Sequence, residues 1–171
     1  MSKIQVGSEI PALELPPISR FTLALYAGAS GDHNPIHIDS DFAKKAGMPD
    51  VFAHGMLSMA YLGRMLTNWQ PQASLRSFSS RFAAITQLHD TITCSGRVTA
   101  LLEQGGETLA QCEIQAVKAN GEQTLVGEAL VAARRAPSAD PANIQLRRPS
   151  AIGRIAFSTA FVSSGSRPSS R

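Results

Sequence analysis

The sequence predicts an α+β domain in which one antiparallel sheet curls around one long buried helix. Three observations carry this expectation. Residues 52–71, FAHGMLSMAYLGRMLTNWQP, are apolar around most of a helical circumference and stop at Pro71; a helix that is apolar all round yet too short to cross a bilayer belongs in a core. Beyond residue 73 the apolar period changes from that of a helix to that of a strand. Asn120-Gly121 is the strongest two-residue hairpin signal in the chain. Neither the helix nor the inner face of a sheet is satisfied alone, so each covers the other.

Each element follows in order. VGSEIPALELP, residues 6–16, reads as an edge strand. ISRFTLALYAG, residues 18–28, has Ser19 as N-cap, carries Phe21, Leu23, Leu25 and Tyr26 in a helical pattern, and is expected to close at Gly28. The polar segment from Ser30 to Asp39 is expected to be extended or turning, because Pro35 biases Asn34 away from the helical region. SDFAKKAG, residues 40–47, is a short helix capped by Asp39 or Ser40, with Asp41 early, Lys44 and Lys45 late, and Gly47 as its stop. After the core helix, the stretches 74–85, 90–103, 107–120 and 122–135 read as strands separated by turn material such as EQGGE. With the first segment this makes about five strands.

At 171 residues and 43% hydrophobic composition the chain fits one globular domain, placed at residues 1–135. Residues 136–171, rich in Ser, Pro and Arg, are expected to form a disordered tail, within which AIGRIAFSTAFV could order on contact. The charge of +3 does not make this a nucleic-acid binder: five arginines against Asp140 give the tail +4, which leaves the body at −1. No run of about 18 apolar residues occurs and the N-terminal segment lacks the marks of a secretory signal, so a soluble, cytoplasmic protein without membrane contact is expected. Cys94 and Cys112 lie in strand-like stretches without CxxC spacing and read as buried thiols.

The chemistry is concentrated in GDHNPIHID, residues 31–39. If the loop folds back, Asp32 and His37 converge, and a carboxylate with a near-neutral imidazole can hold one water and move protons between oxygen and carbon. Such a pair suits adding or removing water across a double bond next to a carbonyl. Gly55, at the expected start of the core helix, can present its backbone N–H to a thioester oxygen, with His54 beside it. Blander readings stand next to these: Asn34 as a turn former, Asp39 as a helix cap, His54 as a hydrogen-bonded structural residue, His33 as an exposed passenger and His89 at a strand edge. His33, His37, Asp32 and Asp39 lack the spacing of a metal site, and no phosphate-cradling glycine motif is present, so neither metal nor nucleotide cofactor is expected.

The stretch YAGASGDHNPIHIDSDFAKKAGMPDVFAHGMLSMAYLGRML resembles the MaoC-like R-specific enoyl-CoA hydratases and (3R)-hydroxyacyl dehydratases. Their hallmark is Asp-x-Asn-Pro-x-His, a small helix, then His-Gly-Met opening the long helix. The resemblance is dense over residues 18–69 and extends in strand pattern to about 135. It implies a hotdog fold, a homodimer whose sheets join, and an acyl-thioester tunnel at the dimer interface. It further implies Asp32 and His37 as the catalytic dyad, Asn34 as the residue ordering the loop, and Gly55 as oxyanion donor. The expected substrates are trans-2-enoyl or (3R)-hydroxyacyl thioesters of CoA or acyl carrier protein, handled without a cofactor. Some relatives carry a serine on the long helix where Gly63 stands here, while Ser58 lies elsewhere on that helix. The rival readings are a hotdog thioesterase and a non-catalytic subunit of a dehydratase heterodimer.

Overall fold

A computed structural model describes residues 4–133 of the chain. The tail expected from residue 136 lies outside the described residues. The elements run β1 (Glu9–Glu14), α1 (Arg20–Ser30), a 3-10 turn (Pro35–His37), α2 (Ser40–Lys45), α3 (Gly55–Trp69), a second 3-10 turn (Gln72–Ser74), β2 (Leu75–Phe82), β3 (Ile92–Gln104), β4 (Glu107–Lys118) and β5 (Gln123–Ala132). The five strands form one antiparallel sheet in the order β1-β3-β4-β5-β2. α3 packs into its concave face and touches every strand. This is the expected α+β hotdog arrangement.

The core follows from the two periodicities. Leu62, Met65 and Leu66 of α3 meet Ile92, Cys94, Val98, Ile114, Leu125 and Val131 from alternate strand positions. Leu62 is fully buried, and burying one such side chain stabilises by roughly 1.5–3 kcal/mol. Of the α3 methionines, Met65 belongs to this core, whereas Met56, in the first turn, is exposed. A second cluster of Ile18, Leu23, Ala43, Val51, Ala53 and Leu57 fastens α1 and α2 to the start of α3. Arg20 pairs with Asp50, which also accepts from Ser40 Oγ (2.7 Å) and the Val51 N–H (2.8 Å). The Ser40 and Val51 donors, with the Arg20 guanidinium, hold the Asp50 carboxyl down at about 2.

The curl of the sheet has a local cause. Ile10, Gly96, Ile114, Gly127 and Ser80 form one row in register across all five strands. A Cβ on Gly127 would lie 2.2 Å from the Ser79 carbonyl oxygen, and one on Gly96 would lie 2.8 Å from that of Glu113. Only hydrogen fits there, so the strands bend more tightly than side chains would permit.

The end of α1 moved. α1 does not close at Gly28 but continues to Ser30, where Gly31 takes the left-handed conformation (φ 74°) and its N–H reaches the Ala27 carbonyl at 3.1 Å. α3 begins at Gly55 as expected, and just before it Phe52 and Ala53 bridge to Gln87 and Thr86 in strand fashion. Within the extended loop, Pro35–His37 close one 3-10 turn. The Asn120-Gly121 hairpin stands as expected, with Gly121 at φ 88° and its N–H on the Lys118 carbonyl.

Candidate active site

The loop between α1 and α2 is built by its own side chains. Asp32 Oδ1 accepts from the Asn34 N–H (3.3 Å), and Asn34 Oδ1 from the Ile36 N–H (3.1 Å). Asn34 thus caps the 3-10 turn that Pro35 opens. Asp39 Oδ1 then accepts from the N–H groups of Asp41 and Phe42 and caps α2. The result is a chain reversal that brings His37 back beneath Asp32.

Two imidazoles stack beneath the loop. His37 and His54 have ring centroids 4.0 Å apart at 33°. Tyr26 from α1 lies against the far side of the pair, 4.9 Å from the His54 ring. The Phe52 ring meets His37 edge-on at 4.8 Å. Asp32, His37 and His54 each bring one polar atom within 4.8 Å of the others. His33, in contrast, is exposed. His89 lies in the turn before β3 with φ 67° and donates its backbone N–H to Ile18.

Hydrogen bonds to the backbone decide the tautomer of both rings. His37 Nδ1 lies 2.8 Å from the Phe52 carbonyl oxygen and His54 Nε2 lies 3.1 Å from that of Asp32. A carbonyl only accepts, so both of these nitrogens carry the hydrogen. In the neutral rings, His37 Nε2 and His54 Nδ1 are left as bare lone pairs. His37 is 9% exposed, and burial, with His54 adding in the same direction, holds its pKa below the ordinary histidine value. The Phe52 carbonyl and the Asp32 carboxylate oppose this more weakly. His37 therefore stays a neutral base with Nε2 free. His54, only 1% exposed, has Nδ1 buried without a partner. The sequence left His54 between the oxyanion or substrate site and a hydrogen-bonded structural role; in the structure its ring stacks on His37 and its Nε2 donates to the Asp32 carbonyl. Should a cation enter, Asp32, His37 and His54 are the groups able to hold it.

Gly55 stands at the first position of α3, exposed, with its N–H among those that a helix start leaves without an intrahelical acceptor. It opens onto a cleft of about 360 Å³ walled by Phe52, Ser58, Phe82, Ala83 and Thr86. Ser58, one turn on from Gly55, and Thr86 are buried there with hydroxyl oxygens 3.4 Å apart. A separate hollow of about 380 Å³ over Glu9, Arg97 and Glu113 shares no residue with this cleft. Gly63 instead faces Phe78 of β2, 3.6 Å from where its Cβ would be.

Phe52, Phe82, Thr86 and Tyr26 had no signal as site residues in the sequence. Phe52 acts through a main-chain carbonyl, and Tyr26 reads as ordinary helix core. Phe82 and Thr86 come from a strand end and loop some 30 residues away.

A helix-filled curled sheet with a carboxylate and an imidazole meeting at the helix start defines a class, and comparison with known proteins gives the family. Residues 6–119 match the family model described as MaoC like domain, and the chain belongs to that family. It is 34% identical over 89 residues to the (R)-specific enoyl-CoA hydratase of Rhodospirillum rubrum, covering 51% of this chain and 62% of that protein. It is 32% identical over 97 residues to the 3-oxo-4,17-pregnadiene-20-carboxyl-CoA hydratase beta subunit of Mycobacterium tuberculosis, covering 56% and 74%. Among solved structures, the (R)-hydratase from A. caviae involved in PHA biosynthesis superposes with a TM-score of 0.68 at 25% identity, over 77% of this chain and 98% of that one. The chain thus spans less than two thirds of the R. rubrum hydratase, and 4% of the fatty acid synthase subunit beta of Saccharomyces cerevisiae, to which it is 36% identical over 84 residues and 49% of its own length.

Proposed function

We propose that this chain is a hydro-lyase that adds water to trans-2-enoyl thioesters or removes it from (3R)-hydroxyacyl thioesters, with Asp32 and His37 as the catalytic pair. The observation that carries the reading is convergence: Asp32 and His37 bring polar atoms within 4.8 Å of each other, and Phe52, whose carbonyl holds His37 Nδ1, also lines the cleft onto which Gly55 opens. In hydration, the water oxygen bonds to C3 while a proton leaves that water and another bonds to C2. One proton is lost and one is needed, so the pair holds it only in transit and ends as it began. Negative charge moves onto the thioester oxygen as C3 is attacked. The Gly55 N–H, at the positive end of α3, meets that charge without reorganising. Asn34 shapes the loop that holds Asp32, and His54 supports the pair from below.

The partners that go with this reading are an acyl thioester of CoA or acyl carrier protein and a second hotdog subunit in a homodimer, in a cytoplasmic setting. β2 pairs only with β5, which leaves its outer edge open to a further strand. The relative from M. tuberculosis is a beta subunit by name, so a heterodimer is the competing assembly. No helix among the described residues is long and apolar enough to cross a membrane.

Crotonyl-CoA distinguishes the chemistries. Loss of enoyl absorbance without free thiol is expected, and Asp32→Asn and His37→Ala should each lower turnover by about 10²–10⁴-fold. Free thiol without hydration would make the protein a thioesterase. Full activity in both variants would remove the pair from the mechanism.

A further inference from the structure

We infer that the Ser58 hydroxyl is a second donor to the thioester oxygen, beside the Gly55 N–H, and that Thr86 holds that hydroxyl in place; the inference rests on the hydro-lyase reading. Ser58 stands three residues after Gly55 on α3, so the two occupy neighbouring positions on one helix face. A helical side chain leans back toward the N-terminus, and in a capping box it is the side chain three residues on that reaches back to a free backbone N–H. The Ser58 hydroxyl and the Gly55 N–H therefore border one place, and both residues line the same cleft. A carbonyl oxygen has two lone pairs. One meets the Gly55 N–H, and the other is open to a hydroxyl from the next turn.

The hydroxyl has a hydrogen bond to spend. A serine inside a helix ordinarily gives its proton to the carbonyl four residues back. Among the described residues the Ser58 hydroxyl instead has one partner, Thr86 Oγ1 at 3.4 Å, outside the usual O–H···O range of about 2.5–3.0 Å. Ser58 is 2% exposed and Thr86 4%, and buried polar groups are ordinarily satisfied. With Thr86 donating to Ser58 Oγ, the Ser58 proton is free to turn into the cleft. Thr86 is itself anchored, since its carbonyl accepts the Ala53 N–H at 2.9 Å, two residues before Gly55. The Phe82 ring packs against Gly55, with Cε1 2.9 Å from where a Cβ would lie. Beside that apolar ring, hydrogen bonds to the thioester oxygen strengthen as charge moves onto it. Ser58 keeps its proton throughout; it only donates a hydrogen bond.

The test is crotonyl-CoA kinetics on the full chain and on Ser58→Ala, Thr86→Val and Thr86→Ser, with circular dichroism to confirm folding. Ser58→Ala should lower kcat by about 10–100-fold while KM stays within a few-fold, because the interaction reaches full strength only as charge arrives on the oxygen. Thr86→Val should lower kcat by about tenfold, and Thr86→Ser, which keeps the hydroxyl, should recover most of it. Infrared difference spectra of bound butanoyl-CoA, isotopically labelled at the thioester carbonyl, read the donor directly. This saturated acyl group cannot be hydrated, and its carbonyl stretch should lie at higher wavenumber in Ser58→Ala than in wild type. A Ser58→Ala kcat within twofold of wild type, or an equal carbonyl stretch in the two proteins, overturns the inference while leaving the hydro-lyase reading intact. Equal kcat in Thr86→Val and Thr86→Ser overturns the positioning role of Thr86. Should Ser58→Ala not fold, the two Thr86 variants and the carbonyl stretch in Thr86→Val decide in its place, by the same criteria. If the wild type does not hydrate crotonyl-CoA, the hydro-lyase reading fails and this inference falls with it.

Discussion

Replacing His54 separates packing from positioning at the site. His54→Ala removes a 1% exposed ring that touches both His37 and Tyr26. The cavity and lost contacts cost about 2–3 kcal/mol. Loss of the 3.1 Å bond to the Asp32 carbonyl adds about 1 kcal/mol or less, because Asp32 is exposed and water can replace the donor. Removing the unpartnered Nδ1 offsets about 1 kcal/mol. The net is a destabilisation of about 2 kcal/mol, a fall in Tm of roughly 6–10 °C for a domain of this size. Turnover should drop by about 10–100-fold, since the Asp32 loop loses its anchor and His37 its supporting ring. His54→Gln keeps a donor on a side chain of similar reach. It should recover most of the turnover while remaining less stable than wild type. Thermal unfolding and crotonyl-CoA kinetics on the same samples read both quantities. Equal turnover in the Ala and Gln variants would refute the positioning argument, and an unchanged Tm in His54→Ala would refute the packing argument.

Other predictions follow from the same geometry. Because His37 is held below the ordinary histidine value, the acid limb of the kcat/KM profile assigned to it should lie below 6.5. The linked stability effect has a fixed sign: the unfolded ring binds a proton at higher pH than the folded one, so this contribution is complete above 6.5 and is lost as pH falls through the lowered value. Urea titrations across that window should show it, and a flat midpoint would contradict it. Gly127→Ala places a methyl 2.2 Å from a backbone oxygen of the neighbouring strand, so the sheet must open. A loss of about 3 kcal/mol or more, or no folded protein, is expected by circular dichroism. Burial pushes the Cys94 thiol up to about 12 and that of Cys112 to about 11, so iodoacetamide at pH 8 should label neither until the protein is unfolded in urea.

The sheet and core helix were legible because their signals are periodic and mutually consistent. The apolar circumference of α3 and the alternation in β3, β4 and β5 each demand a partner, and each is the other's partner. The cap residues were legible for the same local reason: Ser19, Asp39 and Asn120 bond within three residues of themselves. Gly28 misled because a glycine inside a helix costs only about 1 kcal/mol, and Gly31 three residues later could also supply the left-handed turn. At the site, Asp32, Asn34, His37 and Gly55 stood out by residue type and spacing. What remained hidden was the depth of His54 and the cover that Phe82 gives Gly55. Both depend on contacts across 22 or more positions of sequence, for which no local pattern exists. The role of Phe52 was hidden more completely, since a carbonyl has no residue identity to read.

That last point bears on how this site can drift. The tautomer of His37 is set by the main chain of residue 52 and that of His54 by the main chain of residue 32. Substitution at either residue changes a side chain and leaves the same acceptor in place. The two rings are thereby insulated from mutation in their hydrogen-bond partners, unlike a histidine oriented by an aspartate that one base change can remove. A library randomised at position 52 should retain the orientation of His37 in every member that folds, which makes that position a route for reshaping the cleft wall while the proton chemistry beside it stays the same.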